Sequence, residues 1–263
     1  MTDSSYWSNA ELLRQMLLRI IAYLLIAFVV WFIAVPAIFD SIILSPCEAS
    51  FPTYKLMDRL SGGLTAKAGS HFPIRLVNIQ LGTQFFVHMR TAFALSILTV
   101  VPLVLIEMWR FISPALYDGE AAAFRFSLIW LPILFYTGVA VGYYIVFPLS
   151  LRFLVFYDLS DFIDSKLSLE SYMSNFFTLI GAMGVVFLLP LVVKLLAGLE
   201  VLNKQTLKSA RNYAIVLLLV LAAIITPGGD PMTMLVVFTP LYLLYELSIT
   251  FVSIKPISKK ITP

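Results

Sequence analysis

Charged residues are scarce in this chain of 263 residues. Only 13% of them are charged and 60% are hydrophobic, and the mean hydropathy is +0.93. Soluble domains are about 25% charged and about 45–50% apolar, so this chain has too little polar surface to stay in solution as a globule. The composition disfavours a disordered chain and a nucleic-acid binder, and it favours a helical membrane protein with several spans.

Cysteine and histidine are also rare. The single cysteine, Cys47, has no partner for an internal disulfide. The two histidines, His71 and His88, have no Cys, Asp or Glu neighbours at metal-ligand spacing. The sequence contains no glycine-rich phosphate loop followed by Lys and Ser or Thr. We therefore predict no enzyme activity, no metal and no cofactor.

Long charge-free runs are abundant, and they predict six spans, since about 20 apolar residues cross a hydrocarbon core of about 30 Å. The runs lie at 20–39, 91–106 with an extension back to 85, 126–151, 171–193, 212–229 and 231–245. The last two surround Thr226-Pro227-Gly228-Gly229-Asp230-Pro231, a strong turn signal. The predicted fold is all-α, one membrane domain covering 1–263 with six transmembrane helices, of which the fifth and sixth are short.

Basic residues predict the orientation, because short cytoplasmic segments carry an excess of Lys and Arg. Six spans put both termini on one side, and most of the 18 Lys and Arg residues then lie inside if the N-terminus is cytoplasmic. We predict N-in/C-in topology, with cytoplasmic segments at 1–19, 107–124 and 253–263, an extended periplasmic cap at 40–84 and a last periplasmic turn at 227–231.

Acidic residues are absent from the middles of the predicted spans. Glu107 and Glu246 lie near the cytoplasmic ends, and Asp230 lies in the outer turn. Pumps and proton-coupled transporters depend on charges inside the membrane, and we find no internal repeat of the kind that marks many secondary transporters. A small-solute secondary transporter or channel is the alternative function, resting on the six spans alone, and a membrane enzyme is a weaker one.

The first cytoplasmic loop carries the most informative pattern, which runs Trp109-Arg110-Phe111-Ile112-Ser113-Pro114-Ala115-Leu116-Tyr117-Asp118-Gly119-Glu120. It places an apolar, aromatic surface beside two carboxylates at the membrane boundary. One interpretation is an interfacial aromatic belt followed by an acidic helix start. The other is a receptor for a basic peptide, because a carboxylate accepts a two-pronged bond from a guanidinium group. The residues alone favour the belt and leave the receptor open.

The stretch from Phe111 to Tyr117, followed by Glu120, closely resembles the TatC family, the multispanning receptor subunit of twin-arginine protein translocation. Three further stretches resemble the same family in the same order. They are Tyr143-Tyr144-Ile145-Val146-Phe147-Pro148-Leu149 at the end of its third span, the turn at 226–231, and Tyr245-Glu246 in its sixth span. The similarity extends along nearly the whole chain.

The resemblance implies a receptor and scaffold, not an enzyme, in the bacterial cytoplasmic (inner) membrane, in contact with lipid and without a nucleic-acid partner. It would bind the twin-arginine signal peptides of folded precursors, self-associate in a multimeric complex, and assemble with TatA and TatB for export driven by the protonmotive force. Glu120 is the implied principal carboxylate for the twin arginines. The other implied signal-peptide-binding residues are Phe111, Pro114, Leu116, Tyr117, Glu11, Arg14 and Arg110. The implied partner-contact or structural residues are Pro148, Leu188, Pro190, Pro227, Asp230, Met234 and Glu246.

The sequence departs from the family pattern near the start of span one and in spans four and six. Asn9 stands in place of a His, and Leu12 stands at the usual Glu position, with Glu11 one residue earlier and so rotated by about 100° on a helix. Leu188 stands where many members have an intramembrane Glu, and Met234 where a Gln is common. A less polar docking surface for TatA or TatB, or divergent partners, would account for the last two.

Overall fold

The computed structural model describes residues 3–60, 74, 76–79, 81–112, 118–156, 167–198, 202–226 and 230–251. These residues form helices joined by turns, with no β-strand among them and one isolated bridge between Val77 and Ser168. The α-helices are α1 (Asp3–Ile38), α2 (Pro52–Leu60), α3 (Thr83–Ile112), α4 (Asp118–Val141), α5 (Phe147–Phe156), α6 (Leu169–Val186), α7 (Leu189–Gly198), α8 (Lys204–Ser209), α9 (Arg211–Ile225) and α10 (Pro231–Phe251).

Five helical segments in the described residues are long and apolar enough to cross a membrane. They are Ala10–Met57, Thr83–Met108, Trp130–Val155, Leu169–Ala197 and Pro231–Thr250. The remaining predicted span, the fifth, corresponds to α9, which is apolar but has only 15 residues, or roughly 22 Å of helix. The all-α, multi-pass architecture is therefore confirmed, and so is the short fifth helix.

The sixth helix, α10, has 21 residues, and its apolar segment is the shortest of the five in the described part of the chain that are long enough to span a membrane. It continues past Glu246 to Phe251, just before the predicted tail that starts at 253. Glu246 does not interrupt the helix because Arg211 Nη2 lies 2.7 Å from one carboxylate oxygen and the hydroxyl of Tyr242 donates to the other at 3.1 Å. A charge paired in this way is compatible with an otherwise apolar helix.

Two prolines break the third and fourth spans. A proline lacks the backbone N–H, and its ring clashes with the carbonyl group four residues earlier. Before Pro148 the helix widens into a π-helical turn, Gly142–Val146, which joins α4 to α5. Before Pro190 the helix α6 ends at Val186, and the two-residue turn 187–188 leads into α7.

Tyrosine hydroxyls attach the segment after α1 to the rest of the molecule. Tyr172 of α6 donates to the carbonyl oxygen of Ile43 at 2.5 Å, and Tyr143 donates to that of Ile42 at 2.7 Å. The ring of Tyr172 packs edge-on against Phe147, and both side chains are buried. We call the end of the molecule that carries residues 39–60 the cap end; that it lies in the periplasm stays a prediction.

The long helix α1 packs almost entirely on α3. Trp31 Nε1 donates to Thr99 Oγ1 at 2.9 Å, and His88 Nε2 lies 2.8 Å from the carbonyl oxygen of Phe32, whose ring it also stacks on. The opposite face of α1 is exposed and apolar, with the largest exposures at Leu25, Ile26 and Ile33. Since an apolar helix face of this size is not stable in water, this face is suited to contact with lipid.

Candidate functional site

The loop that carries the strongest sequence pattern is described only at its two ends. Phe111 lies in the last turn of α3 and is exposed. Pro114, Leu116 and Tyr117 lie outside the described residues, as does the side chain of Glu120. The backbone of Glu120 lies in the first turn of α4, where the helix dipole favours a negative charge.

Glu11 and Arg14 lie one turn apart on α1 and form an ion pair. Arg14 Nη1 lies 3.2 Å from Glu11 Oε2, and both side chains are more than half exposed. Leu12, at the position where the family usually has Glu, is exposed as well. Because exposed ion pairs contribute only about 0–1 kcal/mol, Glu11 can exchange Arg14 for another guanidinium group at little cost.

A second carboxylate, Glu107, is buried at the same end of the molecule. Its side chain is 8% exposed and lies between two arginines. Arg19 Nη1 from α1 is 3.6 Å from Oε2, and Arg110 Nη1, one turn further along α3, is 3.4 Å from Oε1. We call this end, opposite the cap end, the Glu107 end, and the three residues the Glu107 cluster.

The role of Arg19 in this cluster was missed by sequence reasoning, which placed Glu107 and Arg110 near one another but left Arg19 in a separate segment. The signal available was a lone carboxylate one turn before an aromatic loop in an otherwise apolar helix. A buried charge needs a partner, but the sequence does not show which of the 18 basic residues supplies it.

Leu188 and Pro190 lie where α6 gives way to α7, and both are buried. Leu188 packs in an apolar cluster with Leu131 and Phe135 of α4 and Leu191 of α7. In this position Leu188 contributes to packing within the chain, and an acidic side chain there would have to be buried among leucines.

Asp230 and Met234 lie at the start of α10, at the cap end. Asp230 caps α10, because its Oδ2 accepts the backbone N–H of Thr233 at 2.7 Å. Met234 is half-buried and packs on the main core, while Pro227 lies outside the described residues. Pro148 is buried, and its carbonyl oxygen lies 3.3 Å from the hydroxyl oxygen of Tyr54.

Glu246 joins the start of α9 to the end of α10 through its ion pair with Arg211. The neighbouring Tyr245 donates its hydroxyl to the carbonyl oxygen of Leu207 at 2.7 Å. These contacts connect the end of α10 to α8 and to the start of α9 at the Glu107 end.

No group of three or more His, Cys, Asp and Glu side chains in the described part of the chain is placed to hold a metal ion. Several of the described charged residues instead pair with one another at the ends of the helices. At the Glu107 end, these pairs join arginine guanidinium groups to glutamate carboxylates.

Fold and site together define a multi-pass, all-helical membrane protein whose charges lie at the ends of its spans. The family model described as "Sec-independent protein translocase protein (TatC)" matches residues 10–240. The chain belongs to the TatC family. It is a component of the Sec-independent protein translocase and a multi-pass protein of the inner membrane.

Named relatives and solved structures agree with this assignment. The TatC protein of Blattabacterium sp. subsp. Periplaneta americana is 32% identical over 252 residues, which cover 94% of each chain. That of Halalkalibacterium halodurans is 32% identical over 94% of this chain and 88% of its own. A crystal structure of the twin arginine translocase receptor TatC in DDM superposes with a TM-score of 0.74 at 30% identity, covering 93% of this chain and 99% of that one.

Proposed function

We propose that this chain is the receptor subunit of a twin-arginine translocase. It binds the twin-arginine signal peptides of folded precursor proteins and assembles with TatA, and with TatB where the cell has it, for export driven by the protonmotive force. The observation that carries the proposal is the stretch 111–120, which joins α3 to α4 and ends in a carboxylate at a helix N-terminus.

Glu120 is the principal acceptor for the paired arginines in this proposal. A guanidinium group is a planar fork that bonds a carboxylate twice, whereas an ammonium group is a point charge. Hydrogen bonds to charged groups contribute about 1.5–3 kcal/mol each, so one lost prong lowers the affinity by roughly tenfold or more. Phe111 and the aromatic and apolar residues after it would shape the surroundings of this carboxylate, and Glu11 would add a second one.

Assembly with the single-span partners uses apolar surfaces in this proposal. The two residues that replace polar ones in this chain, Leu188 and Met234, pack within the molecule. They offer a partner no polar contact. The exposed apolar faces of α9 and α10 are the surfaces that we assign to a partner helix, and the same proposal includes self-association in a multimeric receptor complex.

The first experiment measures binding of a fluorescent twin-arginine signal peptide to the full-length protein in lipid nanodiscs. We expect Glu120→Gln to weaken binding by roughly tenfold or more. Glu48→Gln, which alters an exposed carboxylate at the cap end, is the matched control and should leave binding unchanged. A twin-lysine peptide should bind more weakly to the unaltered protein.

Two results would contradict the proposal. Equal affinity for the twin-lysine and twin-arginine peptides would show that a two-pronged contact does not contribute to recognition. Undiminished binding by Glu120→Gln would show that Glu120 is not the acceptor for the paired arginines.

A further inference from the structure

The Glu107 cluster has one carboxylate for two guanidinium groups. Each oxygen of Glu107 faces a different arginine, so the cluster carries a surplus positive charge. The carboxylate itself is almost fully buried, and a buried carboxylate without a cationic partner is strongly unfavourable. It therefore needs a cationic partner, and in this structure two arginines supply it.

The two arginines hold this carboxylate loosely. Their side chains are 57% and 68% exposed, and each offers a single nitrogen at 3.6 Å and 3.4 Å. Charge-assisted N–H···O bonds are shorter, about 2.7–2.9 Å, and the strongest guanidinium pairs are bidentate. Glu107 is thus a built guanidinium acceptor whose present occupants are exposed and can be replaced by a better-placed guanidinium group.

The cluster also lies between the two segments that would contact a signal peptide. Glu107 precedes Phe111 by about one helical turn on α3, and Arg19 follows Arg14 by little more than one turn and Glu11 by little more than two turns on α1. Four residues of helix rise about 6 Å. A peptide arginine that reaches Phe111 is therefore about 6 Å from Glu107 along the axis of α3.

We propose that Glu107 is a further carboxylate of the signal-peptide site, and that Arg19 and Arg110 occupy it when no peptide is bound. An incoming peptide arginine exchanges with one of them. The exchange replaces one guanidinium–carboxylate pair by another, so it costs little, and it favours arginine over lysine for the same geometric reason as at Glu120. This inference rests on the proposed function and adds an internal competitor to it.

The test uses substitutions whose expected effects have opposite signs. In the nanodisc binding experiment, Glu107→Gln should lower the affinity for the twin-arginine peptide by roughly tenfold or more, because a charged acceptor is lost. Arg110→Gln and Arg19→Gln should each raise this affinity several-fold, because a competitor is removed while the other arginine still neutralises Glu107. Glutamine keeps the size of glutamate and leaves no buried charge unpaired.

A matched control comes from the ion pair between Arg90 and Glu170, which joins α3 to α6 at the cap end at 3.0 Å. Arg90→Gln and Glu170→Gln should both leave peptide affinity unchanged. Thermal unfolding of every variant shows whether it is folded, and the two single arginine variants test the competition even if Glu107→Gln does not fold.

If Glu107 and the arginines only fasten α1 to α3, all three substitutions weaken binding together, and the inference is overturned. Unchanged affinity in Arg19→Gln and Arg110→Gln also overturns it. Failure of the receptor function itself has another signature, since the unaltered protein would then bind twin-arginine and twin-lysine peptides equally.

Discussion

At the scale of single residues, the cap end depends on hydrogen bonds from tyrosine hydroxyls to backbone carbonyls. The segment 39–51 contains a π-helical turn and a short 3₁₀ turn, so some of its carbonyls lack the regular partners of an α-helix. Tyr54 adds a third such bond, donating to the carbonyl oxygen of Pro46 at 3.0 Å. Buried carbonyl groups without a partner are unfavourable, which explains why polar tips on large aromatic residues are used here.

Tyr172→Phe should therefore lower the stability of the protein. The substitution removes the hydroxyl that donates to the carbonyl oxygen of Ile43, in a side chain that is 1% exposed. Leaving that carbonyl buried and unpaired costs about 1–3 kcal/mol, which we expect to appear as a lower melting temperature of the detergent-solubilised protein.

Tyr213→Phe is the matched control for this prediction, because Tyr213 is 81% exposed on α9. It should melt at the same temperature as the unaltered protein. If both variants melt alike, the bond between Tyr172 and Ile43 does not contribute to stability.

The residues of the candidate site show what sequence can and cannot predict. The stretch 111–120 is recognisable because its residue types lie next to one another in the chain. The partnership of Arg19 with Glu107 is not, since 88 positions separate them and many basic residues would satisfy the same carboxylate. Whether Leu188 is exposed or buried was likewise decided by the packing of α4 against α7, which hydropathy does not encode.

At the scale of helices, glycine allows α4 and α6 to approach closely. A Cβ atom at Gly138 would lie 2.5 Å from the carbonyl oxygen of Met183 and 2.7 Å from the Cβ of Phe187. A Cβ atom at Gly184 would lie 2.9 Å from side-chain atoms of Phe135 and Val139. Small residues at such contacts are typical of helix packing in membranes.

Gly138→Ala should separate these two helices and destabilise the protein by about 1–3 kcal/mol, the usual cost of overpacking a close contact. The neighbour at Gly138 is backbone, which cannot rotate away as a side chain can. The melting temperature in detergent measures the effect.

Gly181→Ala provides the control on the partner helix α6, because a Cβ atom there would meet nothing within 4 Å. This substitution should be neutral or stabilising, by up to about 1 kcal/mol from helix propensity. Equal melting temperatures for the two alanine variants would show that the contact of α4 with α6 is not tight.

The lengths of the helices were predictable from hydropathy even where a charged residue lies inside the helix. The extension of the second span through Arg90 was predicted and is confirmed by the start of α3 at Thr83. The charge-free run of the sixth span stops before Glu246, but apolar residues resume after it and the predicted tail starts at 253, which agrees with the end of α10 at Phe251. The pairing of Glu246 with Arg211 is a tertiary contact that hydropathy does not show.

At the scale of the whole molecule, the helices have unequal apolar lengths. The distance between the charged ends of the last hairpin, α9 and α10, is shorter than the charge-free length of the first span. Arg211, the first residue of α9, lies level with Glu246, so only 231–246 of α10 separates that pair from the capping Asp230. Sixteen residues of helix rise roughly 24 Å, and α9 rises roughly 22 Å. By contrast, the charge-free part of α1, 20–38, is 19 residues long, or roughly 28 Å.

These unequal lengths predict a bilayer of unequal thickness around the protein. A bilayer with a core of about 30 Å matches α1 but exceeds the hairpin by roughly 6–8 Å, and lipid adapts to a short span by thinning. In nanodiscs imaged by electron cryomicroscopy, the hydrocarbon belt should be thinner beside α9 than beside α1 by several ångströms.

The double variant Arg211→Leu, Glu246→Leu removes the charges at the end of the hairpin and lets all 21 residues of α10 lie in the hydrocarbon core. The belt beside α9 should then thicken, whereas a belt of uniform thickness around the unaltered protein would contradict the prediction.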